Sequence, residues 1–323
     1  MGSRLTLATT IALFGLLFVA CSGAATPSPS AAPSAAPSVL PSESASAAPT
    51  VAPTVAPSVA PTPVAAVPAD QLKFPGKLVA CIDIPYPPQE FFTPEGKETG
   101  SDVDIAAEIA KRLGLELQVE NSVFDTIIAA VTGGKCDIIV SAQNITPDRV
   151  KQVDMIPYFQ AGQSFLVAKG NPKGIATTDD LCGKAIAAET GTTEVDYLSG
   201  TGDYKGDGLS KACLDKGKAK IDVKEYPKDN DALAAMLASQ VDAYFADSPV
   251  AGSYTVQFPD QFELSAIPPL QPAKEGISVP KDKTALRDAV KAALLSMIND
   301  GTYTQILTKY GVQDGAITAA DIK

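Results

Sequence analysis

The 323-residue chain contains no histidine and no tryptophan, and only 6% of its residues are aromatic. Histidine is the usual general base near neutral pH and the commonest protein ligand of metals such as zinc. Its absence excludes histidine-based catalytic triads and every metal site that needs an imidazole. Common hydrolase mechanisms are therefore disfavoured, and we expect neither a metal nor a cofactor.

Basic residues are also scarce. The chain has 26 lysines and arginines against 37 aspartates and glutamates, which gives a formal net charge of −11. A surface of this sign repels the phosphates of nucleic acids and anionic lipid headgroups. Nucleic acid is therefore not an expected partner.

One apolar run stands at the N-terminus. Residues 5–20 carry no charge, follow the basic Arg4 and immediately precede Cys21. The run is short for a membrane span and suits the core of a signal peptide. It resembles a bacterial lipoprotein signal, although Phe18 replaces the usual leucine. The resemblance implies removal of residues 1–20 and lipidation of Cys21; the alternative is an ordinary secretory signal.

The segment that follows is rich in proline. Residues 22–68 contain 11 prolines and one charged residue, Glu43, with no aromatic side chain. Such a composition cannot form a core and predicts a disordered, extended tether. At about 3.1 Å per residue, the segment could reach roughly 100 Å. We assign residues 21–68 to the lipidated cysteine and this tether.

Four cysteines remain once Cys21 is set aside, and they allow three pairings. Cys182 and Cys213 lie in loop-like contexts, so we predict a disulfide between them. Cys81 and Cys136 border apolar, strand-like runs, and we predict that they are buried thiols.

The rest of the chain alternates strand and helix patterns. A first series has strands at 78–83, 115–119 and 137–141, and helices at 101–114 and 125–131. In the helix at 101–114, Ser101 or Asp102 is the predicted cap.

The second series follows the same order. It has strands at 184–188, 221–226 and 241–246, with helices after 193 and at 232–239. Two helices at 286–299 and 302–309 follow. Extended segments near 160–169 and 270–276 join the series, which predicts an α/β fold of two facing lobes with a cleft between them.

Six short motifs lie in this part of the chain, in the order and at the spacing of a known family. They are Tyr86-Pro87-Pro88, Gly100-Ser101-Asp102-Val103-Asp104-Ile105-Ala106, Asp137-Ile138-Ile139-Val140-Ser141, Thr146-Pro147-Asp148-Arg149, Gly191-Thr192-Thr193, and Val241-Asp242-Ala243 with Asp247. Together, over residues 78–311, they resemble the polar amino-acid-binding proteins of bacterial ABC importers, the family 3 extracellular solute-binding proteins.

This resemblance implies a type II periplasmic-binding-protein-like fold with a two-segment hinge. Lobe 1 is expected to comprise residues 69–161 and 275–323, and lobe 2 residues 162–274. The ligand lies in the cleft between the lobes, and a monomer is expected.

The resemblance also implies a site for an amino-acid zwitterion. Arg149 can hold the α-carboxylate through a bidentate contact. The backbone N–H groups of Thr192 and Thr193, at a helix start, can hold the same carboxylate, and Asp247 matches the family's partner for the α-ammonium. The structural alternatives are a surface arginine, a capped turn and a helix cap.

The remaining family positions concern the ligand side chain. Tyr86 and Phe124 match the two aromatic residues that enclose its aliphatic stem, and Ser141 and Asn144 line the first lobe. Asp83 and Glu189 match positions that reach its tip.

Two carboxylates favour a cationic or amide tip, so lysine, arginine, ornithine and glutamine are the expected ligands.

The expected function is extracytoplasmic solute binding, with a membrane permease and its ATPase subunit as partners and a lipid anchor to a bacterial membrane. One alternative is an enzyme on the same scaffold that resembles cyclohexadienyl dehydratases, with Glu189 directed at a leaving hydroxyl. A surface adhesin or a sensor subunit is the third class.

Overall fold

The structure is a computed structural model that describes residues 64–322. The predicted signal peptide, Cys21 and the tether as far as residue 63 lie outside the described residues. Within the described part, Val64 donates its backbone N–H to the carbonyl of Arg112 at 2.9 Å. Ala65 and Val67 pack against the core of the domain.

The domain alternates strands and helices. The strands are β1 (Lys77–Ile82), β2 (Phe91–Phe92), β3 (Glu98–Thr99), β4 (Glu116–Asn121), β5 (Ile138–Ile139), β6 (Val153–Ala168), β7 (Ala185–Glu189), β8 (Asp222–Tyr226), β9 (Ala243–Asp247), β10 (Phe262–Leu264) and β11 (Leu270–Pro280). The helices are α1 (Ser101–Arg112), α2 (Ile127–Thr132), α3 (Pro147–Gln152), α4 (Thr193–Ser199), α5 (Leu209–Asp215), α6 (Asp229–Leu237), α7 (Ser248–Gln257), α8 (Thr284–Asp300) and α9 (Thr302–Lys309).

One sheet runs through the domain in the order β4-β1-β5-β11-β6-β9-β7-β8, with β10 paired to β6. The long strands β6 and β11 pair antiparallel in the middle. Strands β1, β4 and β5 are parallel on one side, and β7, β8 and β9 are parallel on the other.

We call the first group, with α1, α2, α3, α8 and α9, the first lobe, and the second group, with α4 to α7, the second lobe. The predicted two-lobe α/β fold is confirmed. The residue bounds predicted for each lobe stay a prediction.

Helix α1 shows how the first lobe is built. Ile105, Ile109 and Ala110 are buried in the core of this lobe. The helix begins after Gly100, at φ 130°, and not after a cap at Ser101 or Asp102, which lie within its first turn. A Cβ on Gly100 would lie 2.1 Å from the carbonyl oxygen of Gln89, so only glycine permits this close approach of the two chain segments.

Strand β5 is shorter than predicted. Only Ile138 and Ile139 join the sheet, and the chain then leaves it, with Ala142 at φ 43°. After this turn, the side chain of Asn144 reaches Thr193 of the second lobe at 2.8 Å.

Two disulfide bonds lie within the described residues 64–322. Cys182–Cys213 is bonded as the sequence predicts. The prediction of free thiols at Cys81 and Cys136 is wrong, because these residues form the second bond with their Cα atoms 5.7 Å apart. Strand β1 pairs with β5, so a cysteine in β1 meets one that lies just before β5.

No helix within residues 64–322 is long and apolar enough to cross a membrane.

Candidate functional site

A pocket lies between the two lobes. All ten predicted ligand-binding residues line it. They are Asp83, Tyr86, Phe124, Ser141, Asn144, Arg149, Glu189, Thr192, Thr193 and Asp247. Glu90, Ala142 and Glu194 line it as well and were not among the predicted ligand-binding residues.

Arg149 is positioned by the start of helix α3. Thr146 caps this helix by accepting the N–H of Arg149 at 3.3 Å. The guanidinium donates to the carbonyl of Asn144 at 2.9 Å and to that of Gly191 at 3.0 Å. It also lies over the ring of Phe124, 5.3 Å from its centroid. The arginine therefore faces the pocket and joins the lobes, which excludes the surface alternative.

The guanidinium of Arg149 keeps its charge. Burial lowers its pKa, while the carboxylate of Glu194 acts in the opposite direction. Arginine stays protonated throughout the physiological range despite such a shift. The pocket therefore carries one fixed cation at this end.

Asp247 ends strand β9 and precedes helix α7. Its side chain does not cap that helix. The hydroxyl of Tyr86 donates to Asp247 Oδ2 at 3.0 Å. Asp247 Oδ1 is buried and has no hydrogen-bond partner among the described residues. Asp247 therefore stands at the N-cap position of α7 without capping the helix through its side chain, and it lines the pocket.

The environment of Asp247 disfavours its charge. Burial raises its pKa well above the ordinary value, and the nearby Glu194 raises it further, whereas the hydrogen bond from Tyr86 and the charge of Arg149 lower it. A cation brought against Oδ1 would reverse the effect of burial, because an opposite charge at short range favours the ionised form.

Ser141 and Asn144 follow strand β5. The hydroxyl of Ser141 accepts the N–H of Asp83 at 2.9 Å and donates to Glu90 at 2.7 Å, so protein partners already use it. Asn144 donates its amide to the hydroxyl of Thr193 at 2.8 Å, and its Oδ1 is buried with no partner among the described residues.

Helix α4 begins with a tight turn at Gly191 and a side-chain cap from Thr192. Gly191 has φ 82°, and a Cβ there would lie 2.7 Å from the Cα of Asp125, so the turn requires glycine. The side chain of Thr192 caps the helix by accepting the N–H of Val195 at 3.4 Å. The capped-turn alternative therefore describes the Thr192 side chain correctly.

The far end of the pocket holds a charged cluster. Asp83 forms an ion pair with Lys228, a residue that the sequence did not single out. Asp83 Oδ2 accepts the N–H of Phe124 at 2.5 Å. Glu189 lies beside Asp83, and burial, followed by the charges of Asp83 and Asp229, raises the pKa of Glu189 to about 10. Glu189 is therefore a neutral acid near pH 7.

Glu194 is the other acidic residue that the sequence analysis missed. It lies in the first turn of α4, and burial raises its pKa to about 7, while its own backbone N–H and the charge of Arg149 lower it. An acidic residue in the first turn of a helix ordinarily stabilises that helix through its interaction with the helix dipole. The sequence therefore gave no sign that this glutamate faces the pocket.

Several pocket oxygens share one property: they are buried and have no hydrogen-bond partner among the described residues. They are Glu90 Oε2, Asn144 Oδ1, Glu189 Oε1, Glu194 Oε1 and Asp247 Oδ1. Buried acceptors of this kind cost free energy unless a donor reaches them. The pocket is therefore suited to a small ligand that carries several N–H groups.

The sequence matches a family of known proteins. Residues 78–313 match the bacterial extracellular solute-binding proteins, family 3. The chain belongs to this family.

Named relatives of this solute-binding protein are themselves binding proteins. It is 26% identical over 242 residues to the L-cystine-binding protein TcyJ of Escherichia coli K12, covering 75% of this chain and 85% of the relative. It also resembles a solved ancestral arginine-binding protein bound to arginine, with 32% identity and a TM-score of 0.64. A solved ancestral arginine-binding protein bound to glutamine gives 31% identity and a TM-score of 0.65. Each solved structure matches 73% of this chain and 98% of its own.

Proposed function

We propose that this solute-binding protein is the extracytoplasmic component of an ABC importer and binds one polar amino acid with a basic or amide side chain. The observation that carries the proposal is the convergence of Arg149 and Asp247 on one pocket from different lobes. They supply a cation and a buried acceptor, the two groups that a zwitterion needs.

Recognition of the α-carboxylate falls to Arg149. A guanidinium has five N–H donors, and two of them already hold the carbonyls of Asn144 and Gly191. The remaining donors can take a carboxylate, which fixes one end of the ligand. The charge of the arginine offsets the desolvation of that carboxylate.

Recognition of the α-ammonium falls to Asp247. Its buried Oδ1 lacks a partner among the described residues, and the hydroxyl of Tyr86 holds Oδ2 in place. An ammonium at Oδ1 would satisfy this oxygen and restore the negative charge that burial disfavours.

Closure of the cleft gives the binding step its mechanism. Arg149 donates to Gly191 and Asn144 donates to Thr193, so both contacts join the two lobes. A ligand that bridges Arg149 and Asp247 adds contacts that exist only when the lobes are close. It therefore shifts the population towards the closed form. The closed form then delivers the amino acid to a permease driven by its ATPase subunit.

The relatives support an amino acid as the ligand class, since their names record cystine, arginine and glutamine as bound molecules. We also propose that Cys21 carries a lipid that anchors the protein to a bacterial membrane, outside the cytoplasm. The tether would then give the domain room to approach the permease.

An enzymatic role is the weaker candidate. A solved relative, at 28% identity and TM-score 0.61, is an ancestral amino-acid-binding protein described as a precursor of cyclohexadienyl dehydratase. Glu189 is the acid that such chemistry would use, and its raised pKa keeps it protonated. Retention of the Arg149 and Asp247 pair favours binding over turnover.

A thermal-shift screen of the twenty amino acids tests the proposal. The full chain is first unfolded and refolded to remove any co-purified ligand. Ligand present at a hundredfold excess over its Kd stabilises the folded state by about 2.7 kcal/mol, which raises the melting temperature by several degrees. Absence of any shift with a correctly folded protein would contradict the proposed function.

A further inference from the structure

Lys228 reaches from the second lobe to the first across the far end of the pocket. It lies between β8 and α6, and its ammonium donates to Asp83 Oδ1, to the carbonyl of Ser122 at 2.8 Å and to Asn121 Oδ1 at 3.3 Å. All three acceptors belong to the first lobe. The lysine does not line the pocket itself and acts on it through Asp83.

Both oxygens of Asp83 are engaged by the protein. Oδ1 accepts from Lys228, and Oδ2 accepts the backbone N–H of Phe124. The Asp83 side chain is only 5% exposed, whereas that of Lys228 is 23% exposed. A carboxylate this deeply buried needs a counter-ion, and the lysine supplies it from within the protein.

Among residues 64–322, Lys228 forms an ion pair with Asp83 and with no other acid. Asp229, the next residue along the chain, is buried and accepts the hydroxyls of Tyr244 and Tyr254. Glu189 is a neutral acid near pH 7, because burial and its acidic neighbours raise its pKa to about 10. The net charge of Asp83, Glu189 and Lys228 is therefore close to zero.

A ligand tip meets this cluster at Glu189 Oε1, a buried acceptor with no partner among the described residues. A cationic tip could ionise Glu189 only against the burial that raises its pKa, and it also approaches the ammonium of Lys228, which repels it. A carboxamide tip brings an uncharged N–H donor to Glu189 Oε1 without that repulsion. From the two carboxylates alone the sequence predicted a cationic or an amide tip, and the ion pair between Asp83 and Lys228 favours the amide.

We propose that Lys228 determines side-chain specificity: by pairing with Asp83 it makes the pocket prefer an amino acid with a carboxamide tip over one with a guanidinium or ammonium tip. The proposal rests on the amino-acid-binding function above and narrows its ligand class.

Calorimetric titration of the full chain with L-glutamine and with L-arginine tests this proposal. The parent should bind glutamine at least tenfold more tightly than arginine. Lys228→Met keeps most of the aliphatic stem and removes the charge, so Asp83 becomes available to a cation. The ratio of the two affinities should then shift towards arginine by at least tenfold.

Lys224→Met is the matched control. Lys224 lies in β8, is half exposed and pairs with Asp222 outside the pocket. Its removal should leave the affinity ratio unchanged. Asp83→Asn gives a second, independent test, because Lys228 would then lack its counter-ion. Arginine should bind still more weakly to this variant, and binding of L-glutamate should improve relative to glutamine.

Tighter binding of arginine than of glutamine by the parent would overturn the specificity role. So would an equal loss of both ligands in Lys228→Met, because that result would make the lysine only a contact between lobes. Failure of the folded parent to bind any amino acid would overturn the proposed function as well, and is distinguishable from these results.

Discussion

Replacement of Arg149 by alanine should abolish most of the ligand affinity and leave the fold intact. Arg149 donates to the carbonyls of Asn144 and Gly191, so two of the five N–H groups of a guanidinium are occupied and three remain for a ligand carboxylate. Alanine removes these donors together with the only fixed cation at that end of the pocket among the described residues.

The size of the effect follows from the buried charge. A carboxylate held in this pocket is left without its counter-ion, and truncation of one partner of such a pair costs roughly 2–5 kcal/mol. The corresponding loss in affinity is about 30-fold to several-thousand-fold. The loss of the contact with Gly191 adds to this, because that contact joins the lobes in the closed form.

Calorimetry measures the affinity, and circular dichroism at increasing temperature measures the fold. Arg149→Lys keeps the charge but not the planar fork, so its affinity should lie between those of the parent and the alanine variant. Arg287→Ala is a control, because Arg287 pairs with Asp154 away from the pocket. A folded Arg149→Ala variant that binds as tightly as the parent would refute the assignment of the carboxylate site.

Three further predictions concern the anchor, the disulfides and pH. Cys21→Ser should release the protein from the membrane fraction without changing ligand affinity, and retention would indicate another anchor. Cys136→Ser opens the loop closed by the Cys81–Cys136 bond, with a sequence separation of 55, and should lower the free energy of unfolding by roughly 4 kcal/mol; non-reducing peptide mapping that fails to find this bond would contradict the structure. Burial raises the pKa of Asp229 from 3.8 to about 7. The folded protein therefore holds this proton more tightly than the unfolded chain does, and the resulting stabilisation is complete below about pH 4. This stabilisation is lost as pH rises towards 7, by about 1.4 kcal/mol per pH unit. Chemical denaturation at several pH values should show a weaker pH dependence of the unfolding free energy for Asp229→Asn. An unchanged pH dependence in this variant would exclude Asp229 as its source.

The sequence predicted the order of strands and helices well because periodicity reports local structure. Helix α9 has the predicted bounds, and α1 was predicted two residues too long at its end. The cap of α1 was misassigned because Gly100 is needed for its approach to Gln89, a contact that sequence spacing does not reveal.

The bond between Cys81 and Cys136 was missed for a similar reason. Their apolar surroundings indicated burial, which the structure confirms. Their pairing depends on the parallel alignment of β1 with β5, and this alignment joins residues that are far apart in the chain.

The pocket residues were found through family motifs, and the structure brings all of them together. Lys228 and Glu194 were missed because a lysine before a helix and an acid in its first turn are ordinary surface patterns. Their importance arises only when the two lobes meet, with Lys228 at Asp83 and Glu194 near Arg149.

The central claim is that Arg149 and Asp247 hold the two charged ends of one amino acid. A crystal structure of the full chain with the amino acid that stabilises it most tests this directly. We expect the α-carboxylate within hydrogen-bond distance of the Arg149 guanidinium, and the α-ammonium against Asp247 Oδ1. An amino acid bound outside this pocket, or bound in it with its ammonium away from Asp247, would contradict the account.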